Sequence, residues 1–295
     1  MKISGLNTPA LILDINTLKA NIKAMDGIIE NSSLKLRPHY KSHKCAALAK
    51  MQIENGAIGM TCAKLSEAED LCDIGIEDIL IANQVVDPAK IRKLADLAHN
   101  CRLTVCVDNI ENITALSSAA KNCGSTIYCL VEYDIGMQRC GVIEKEEVLA
   151  LAKHILVSEN LVFDGIQAYA GHISHIEDIS TRKQMTAENY AKIKELVMLL
   201  NDNGIEVKTI SGGSTGTAEI KAAEGLYTEL QGGSYLFMDA TYRLLSLPFK
   251  NSLFILTTVV SQRDDLTVVD AGVKTCGTDQ GMPVPYKGYA SEIVA

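Results

Sequence analysis

With 295 residues, 47% of them hydrophobic and 22% charged, the chain can bury one large core and part of a second, and its net charge of -8 argues against nucleic acid or an anionic membrane as partner. No apolar run reaches the roughly 18 residues of a membrane span, and the opening MKISGLNTPALILD lacks the charged-then-apolar layout of a secretory signal. Nine cysteines, an odd number scattered without a CxxC pair, point away from a disulfide framework or zinc cluster and toward a reducing cytoplasm.

In chain order, short β-branched apolar runs alternate with amphipathic segments. Strands are predicted at 35–40, 57–62, 78–83, 103–108, 126–134, 162–169, 207–211 and 227–231. Helical patterns fall between them at 46–55, 65–72, 88–99, 110–121, 145–157 and 181–203. Residues 88–99 carry the signal most clearly, since Asp87 can cap, Pro88 suits the first turn, and Ile91, Leu94, Ala95 and Ala98 share a face. Gly75, Gly124 and Gly204 stand where helices should stop.

Eight strand–helix units in succession read as a (β/α)8 TIM-type barrel. The alternative, a doubly wound open sheet, lacks the GxGxxG turn of its dinucleotide-binding form after the first strand. Beyond residue 245 the texture changes, with strand-like runs at 252–261 and 266–270 and turns at 281–285. The expected organisation is therefore a barrel over 1–245 and the start of a β-rich C-terminal domain over 246–295. That second domain looks incomplete, because its pattern is still running at Ala295.

Active sites of such barrels gather at the C-terminal ends of the strands. Those positions hold Lys41, Cys62, Gln84, Asp108, Asp134, Tyr169, Gly212 and Gln231, a polar set among apolar mid-strand neighbours. The first unit ends in RPHYKSHK, residues 37–44, where crowded positive charge lowers the pKa of a lysine and favours the neutral amine that Schiff-base chemistry needs. Composition alone also allows a solvated basic turn there. Two glycine-rich stretches weigh against that reading: ISGGSTGT (210–217) follows strand seven and QGGSY (231–235) follows strand eight, where barrels commonly bind phosphate. Arg139 lies in a glycine-flanked loop after strand five and could bind a cofactor's phenolic oxygen or a substrate carboxylate. Tyr169, His172 and His175 follow strand six, and either histidine could exchange protons near neutral pH. His99 and His154 belong to helix surfaces.

Taken together, RPHYKSHK, TCAKLSEAEDL, VEYDIGMQRCGV, GIQAYAGH, SGGSTGT and YTELQGGSYLFMDATY resemble the D-threonine aldolase and D-serine dehydratase family. These are pyridoxal 5′-phosphate (PLP) enzymes of the alanine-racemase-like barrel, fold type III. The similarity extends from about Thr8 to Tyr242 and on through VVDAGVKTCGTD, and TELQGGSYLFMD, IQAY and ILIANQVV lean toward the aldolase branch, which includes 3-hydroxy-D-aspartate aldolases. The resemblance implies retro-aldol cleavage of a D-β-hydroxy amino acid to glycine and an aldehyde. It implies Lys41 as the Schiff-base lysine. Ser214, Thr215, Gly216, Gly233, Ser234 and Tyr235 would hold the phosphate, Arg139 and Tyr169 would contact the ring, and His175 would handle the proton, with His172 as its rival.

Two departures stand out. Ala170 occupies a position where the family carries histidine. The family also binds a divalent metal such as Mn2+ through a late His-x-Cys or His-x-Asp pair, yet the six histidines here are His39, His43, His99, His154, His172 and His175. The metal pair is thus absent, as expected if the chain ends early. The alternatives are a D-serine or D-threo-3-hydroxyaspartate dehydratase using Lys41 as α-proton base, a racemase, or a PLP-binding carrier without catalysis. A cytoplasmic homodimer is the expected assembly, by analogy with the fold.

Overall fold

Two elements precede the first predicted strand: β1 (Ala10–Leu13) and α1 (Ile15–Ile29). The expected alternation then begins. Its strands are β2 (Lys35–Leu36), β3 (Met60–Cys62), β4 (Asp78–Ile81), β5 (Arg102–Val107), β6 (Ile127–Glu132), β7 (Leu161–Ala168), β8 (Thr209–Gly212) and β9 (Glu229–Leu230). Between them run α2 (Ala46–Glu54), α3 (Leu65–Asp73), α4 (Pro88–Leu97), α5 (Ile110–Cys123), α6 (Lys145–Val157), α7 (Ile179–Asp202) and α8 (Ala218–Glu224). The computed structural model describes residues 5–278 and 281–286. It forms two units, one from Met25 to Ser234 and one made of the residues before Met25 and from Tyr235 on.

In the larger unit the sheet runs β2-β9-β8-β7-β6-β5-β4-β3, and every neighbouring pair is parallel. A parallel bridge between His39 and Thr61 joins the two ends, so the eight strands close into the expected barrel. Pro38 explains why β2 is so short: it has no N–H for the ladder, although its carbonyl still accepts from the Thr61 N–H at 2.8 Å. Thr61 adds a hydroxyl bond to the Arg37 carbonyl at 2.9 Å. Outside the sheet, α4 forms as the sequence dictates. Asp87 accepts from the N–H groups of Ala89 and Lys90, Pro88 opens the helix, and Ile91, Leu94 and Ala95 are buried.

Near the strand starts, charged side chains tie the barrel together. Arg37, only 5% exposed, reaches Asp78 at 2.8 Å and Glu229 at 2.7 Å. Asp78 also faces Arg102 at 3.6 Å, and Arg102 reaches Asp164 at 2.8 Å while lying 3.6 Å above the centre of the Tyr128 ring. Asp164 accepts from the Thr209 hydroxyl at 3.0 Å. Burial alone would drive Arg37 toward losing its proton, but Glu229 and then Asp78 outweigh it and hold the guanidinium firmly charged. Gly59 sits where a Cβ would fall 2.4 Å from Arg37 Nη1, so close packing there admits no side chain.

In the smaller unit, β10 (Leu253–Leu256) pairs antiparallel with β1, from Ala10 opposite Leu256 to Leu13 opposite Leu253. A hairpin of β11 (Val259–Gln262) and β12 (Thr267–Val269) follows. The strand predicted at 252–261 is therefore broken in two. At the break, the Thr258 N–H bonds the Asp270 carboxylate at 2.9 Å, and Thr8 donates to the same carboxylate at 2.5 Å. Residues 287–295 of the predicted C-terminal domain lie outside the described residues. Among the described residues no helix is long and apolar enough to cross a membrane.

Candidate active site

A cavity opens at the C-terminal ends of the barrel strands, lined by His39, Lys41, Ala63, Ala82, Asn83, Arg139, Gln167, Tyr169 and Gln231. Lys41 rides on a single 3-10 turn, Tyr40–Ser42, that follows β2. The buried His39 caps this turn, its Nδ1 accepting from the Lys41 N–H at 3.4 Å. Burial first, and then the charges of Lys41, Arg139 and His43, hold His39 well below the ordinary histidine range, so it is a neutral Nε2–H donor.

The Lys41 Nζ lies 5.9 Å from the centre of the Tyr169 ring, and the Arg139 guanidinium carbon lies 5.5 Å from the same point. Lys41 remains exposed as a residue through the open mouth. Even so, partial burial of its amine lowers its pKa, Arg139 adds to the effect, and Glu67 opposes it. A neutral amine is the nucleophilic form. Arg139→Gln removes one of the two lowering influences, so the Lys41 pKa should climb toward the ordinary lysine value. The pH dependence of borohydride trapping of an aldehyde on Lys41 would show this as a shift of the midpoint to higher pH. An unmoved midpoint would mean that Arg139 does not act on the amine.

Arg139 is held by a loop whose construction uses several polar strand ends. Glu132, the last residue of β6 and almost fully buried, faces Arg139 Nη2 at 3.6 Å and accepts from Gln84 Nε2 at 2.6 Å. Burial raises the Glu132 pKa, while Gln84 and Arg139 pull it back. Asp108 accepts from the Gly141 N–H at 3.1 Å, and Asp134 accepts from the N–H groups of Gly136 at 2.8 Å and Gln138 at 3.0 Å. These two aspartates shape the loop. Cys62, also at a strand end, is fully buried and its thiol pKa is pushed up by burial, so it behaves as core.

The two glycine-rich segments lie side by side and against the lysine turn. The Gln231 N–H bonds the Gly212 carbonyl at 2.9 Å, and a Cβ on Gly232 would lie 3.7 Å from the Thr215 hydroxyl. A Cβ on Gly233 would fall 2.1 Å from the Ser42 hydroxyl and 3.4 Å from the His39 Cβ, so a side chain there would force Ser42 to turn away and would press on the turn that carries Lys41. After β8, Ser214 caps a 3-10 turn over Thr215–Thr217, with its N–H on the Thr217 hydroxyl at 3.0 Å. Ser214, Thr215 and Gly216 are all buried, and Ser234 is half-buried. Tyr235 opens the smaller unit, where it is buried with its ring 5.9 Å from that of Phe249.

Both candidate histidines are exposed on the segment after β7. A Cβ on Gly136 would lie 3.4 Å from the Cε1 and Nε2 atoms of His172, which puts that ring beside the Arg139 loop. His175 follows Ser174, which is 1% exposed and donates to the Ser214 hydroxyl at 2.8 Å. His39, Asn83 and Gln167 were not singled out from the sequence, although each lines the cavity. A buried glutamine within the apolar run of β7 is the signal that could have marked Gln167, whose amide exchanges hydrogen bonds with Gln231. Among the described residues, no three His, Cys, Asp or Glu side chains are grouped to hold a metal ion.

Residues 13–241 match the family described as alanine racemase, N-terminal domain. The chain is 41% identical to a D-threonine aldolase from Arthrobacter sp. over 95% of its length and 76% of the relative's. It is equally 41% identical to a 3-hydroxy-D-aspartate aldolase from Paracoccus denitrificans, over 97% of its length and 77% of the relative's. A D-threo-3-hydroxyaspartate dehydratase from Delftia sp. is more distant, at 27% identity over 94% of this chain and 74% of that one. Among solved structures, the D-threonine aldolase of Filomicrobium marinum superposes with a TM-score of 0.93 at 39% identity, covering 97% of this chain and 78% of that one.

Proposed function

The chain belongs to the alanine racemase N-terminal domain family, and from that premise we propose that it is a PLP-dependent carbon–carbon lyase. Its substrates would be D-β-hydroxy amino acids of the D-threonine or 3-hydroxy-D-aspartate type, cleaved to glycine and an aldehyde. The observation that carries the reading is the convergence of Lys41, Arg139 and Tyr169 on one cavity, with two glycine-rich loops packed beside the lysine turn.

The donor set suits PLP. Lys41 offers an amine whose charged form is disfavoured, Arg139 offers a guanidinium for an anionic oxygen, and Tyr169 offers an aromatic face. Ser214, Thr215, Gly216, Gly233 and Ser234 would hold the phosphate, and Tyr235 joins them on sequence grounds alone. When bound, the cofactor's ring supplies the electron sink for the pair left on Cα as the Cα–Cβ bond breaks. His175 would take the β-hydroxyl proton, with His172 as the alternative base. The family's divalent ion finds no matching side-chain group among the described residues, and no step of this reading passes through one.

A homodimer in a reducing cytoplasm completes the proposal, supported by the fold's usual assembly and by nine free thiols. The deciding test is product analysis with D-threonine, PLP and Mn2+. Glycine and acetaldehyde are expected. Ammonia and 2-oxobutanoate would make the protein a dehydratase, the reading that its 27% identity to the Delftia enzyme keeps in view. His175→Ala should lower kcat by about 10²–10⁴-fold, the usual share of a general base, and His172→Ala by far less. The reverse ranking would move the base to His172.

A further inference from the structure

The segment bearing His172 and His175 is pinned from below at two points. Ser174, 1% exposed, donates its hydroxyl to Ser214 Oγ at 2.8 Å, and Arg182, 2% exposed, donates to the Ile176 carbonyl. His175 itself is exposed between these two anchors. One anchor belongs to the helix α7, and the other belongs to the loop assigned above to the cofactor's phosphate.

The hydrogens at Ser214 can be counted. Its N–H is given to the Thr217 hydroxyl at 3.0 Å, and its Oγ accepts from the Ser174 hydroxyl and, in a capping box, from the Thr217 N–H. Its own hydroxyl hydrogen has Thr217 Oγ1 within 3.2 Å and can turn instead to an anion. When an anion accepts that hydrogen, the Ser214 oxygen becomes a better acceptor, and the bond from Ser174 strengthens with it. Both serines are buried, so water does not dilute the effect.

We propose that Ser174 is a positioning residue that ties the segment carrying His175 to the phosphate seat, so that seating the phosphate orders the proton-handling histidine. The inference rests on the PLP-lyase reading. It deepens that reading by making the cofactor's phosphate, beyond an anchor, a condition for correct placement of the base.

The test is hydrogen–deuterium exchange over residues 171–178 of the whole chain with and without PLP, with loading followed independently by visible absorbance. In the wild type, loading should slow exchange of this segment several-fold. Ser174→Ala should load with an affinity lowered by no more than the same several-fold coupling and should lose the slowing, and its kcat should fall roughly ten- to hundredfold with KM little changed. Ser174→Thr keeps a hydroxyl and should restore both. If the wild type loads but exchange over 171–178 does not respond, the proposal is overturned even should the alanine variant misfold. If the wild type never loads, the lyase reading falls first and carries this inference with it.

Discussion

Lys41→Ala should abolish covalent capture of PLP and lower lyase turnover by at least about 10²–10⁴-fold, the range lost when a positioned catalytic group is removed. Among the described residues lining the cavity, Lys41 alone carries a primary amine. The nearby Lys44 is turned toward Glu67 at 3.6 Å and is largely exposed, so it is poorly placed to substitute. The variant should fold normally, because Lys41 is exposed and makes no ion pair that the barrel depends on. Mass spectrometry after borohydride treatment checks the claim directly. The trapped adduct should map to Lys41 in the wild type and vanish in the variant. An adduct persisting on another lysine would relocate the anchor and take the proposed site with it.

Arg37→Met should cost about 3–5 kcal/mol of stability, the typical result of removing one partner from a buried ion pair. Methionine fills much of the volume but leaves the buried Glu229 without the guanidinium that now lies 2.7 Å away, while Asp78 loses its partner at 2.8 Å and keeps only Arg102 at 3.6 Å. Urea unfolding monitored by circular dichroism would measure the loss. A double variant that also carries Glu229→Gln should recover part of it, since the orphaned charge goes with its partner. A cost below about 1 kcal/mol, the scale of a surface pair, would mean that this link contributes little to barrel closure. Because Arg37 stands four residues before Lys41, the variant also tests how far the catalytic turn relies on the barrel beneath it.

The barrel was legible because its strands announce themselves locally. Each of β2 to β9 lies within, or within one residue of, a predicted run, and α6 spans the predicted residues 145–157. Apart from the helix α1, a local element that the reading passed over, what escaped has partners far away in sequence. Ala10–Leu13 is a four-residue apolar stretch whose partner starts at Leu253, so no local pattern marks it. The ion network joins residues 37, 78, 102, 164 and 229, each of which looks in sequence like an ordinary surface charge. At the site, Lys41, Arg139 and Tyr169 were found from loop chemistry and do share a cavity. Asp108 and Asp134 had looked like site residues from their place at strand ends, but their carboxylates hold backbone N–H groups of the Arg139 loop. The Ser174–Ser214 bond pairs two small hydroxyls forty residues apart, a contact that only the fold discloses.

The pairing of β1 with β10 sets an order on birth at the ribosome. Leu13 and its partner Leu253 are about 240 positions apart, so at about 5–20 residues per second β1 emerges roughly 12–50 seconds before its partner strand exists. The barrel's parallel strands can assemble progressively during that interval, each finding a neighbour a few dozen residues back. The smaller unit cannot, since it joins two strands separated by the whole length of the barrel. Until β10 is made, the nascent chain therefore carries an open strand edge with Leu11 and Leu13 on it, a natural stopping place for a chaperone.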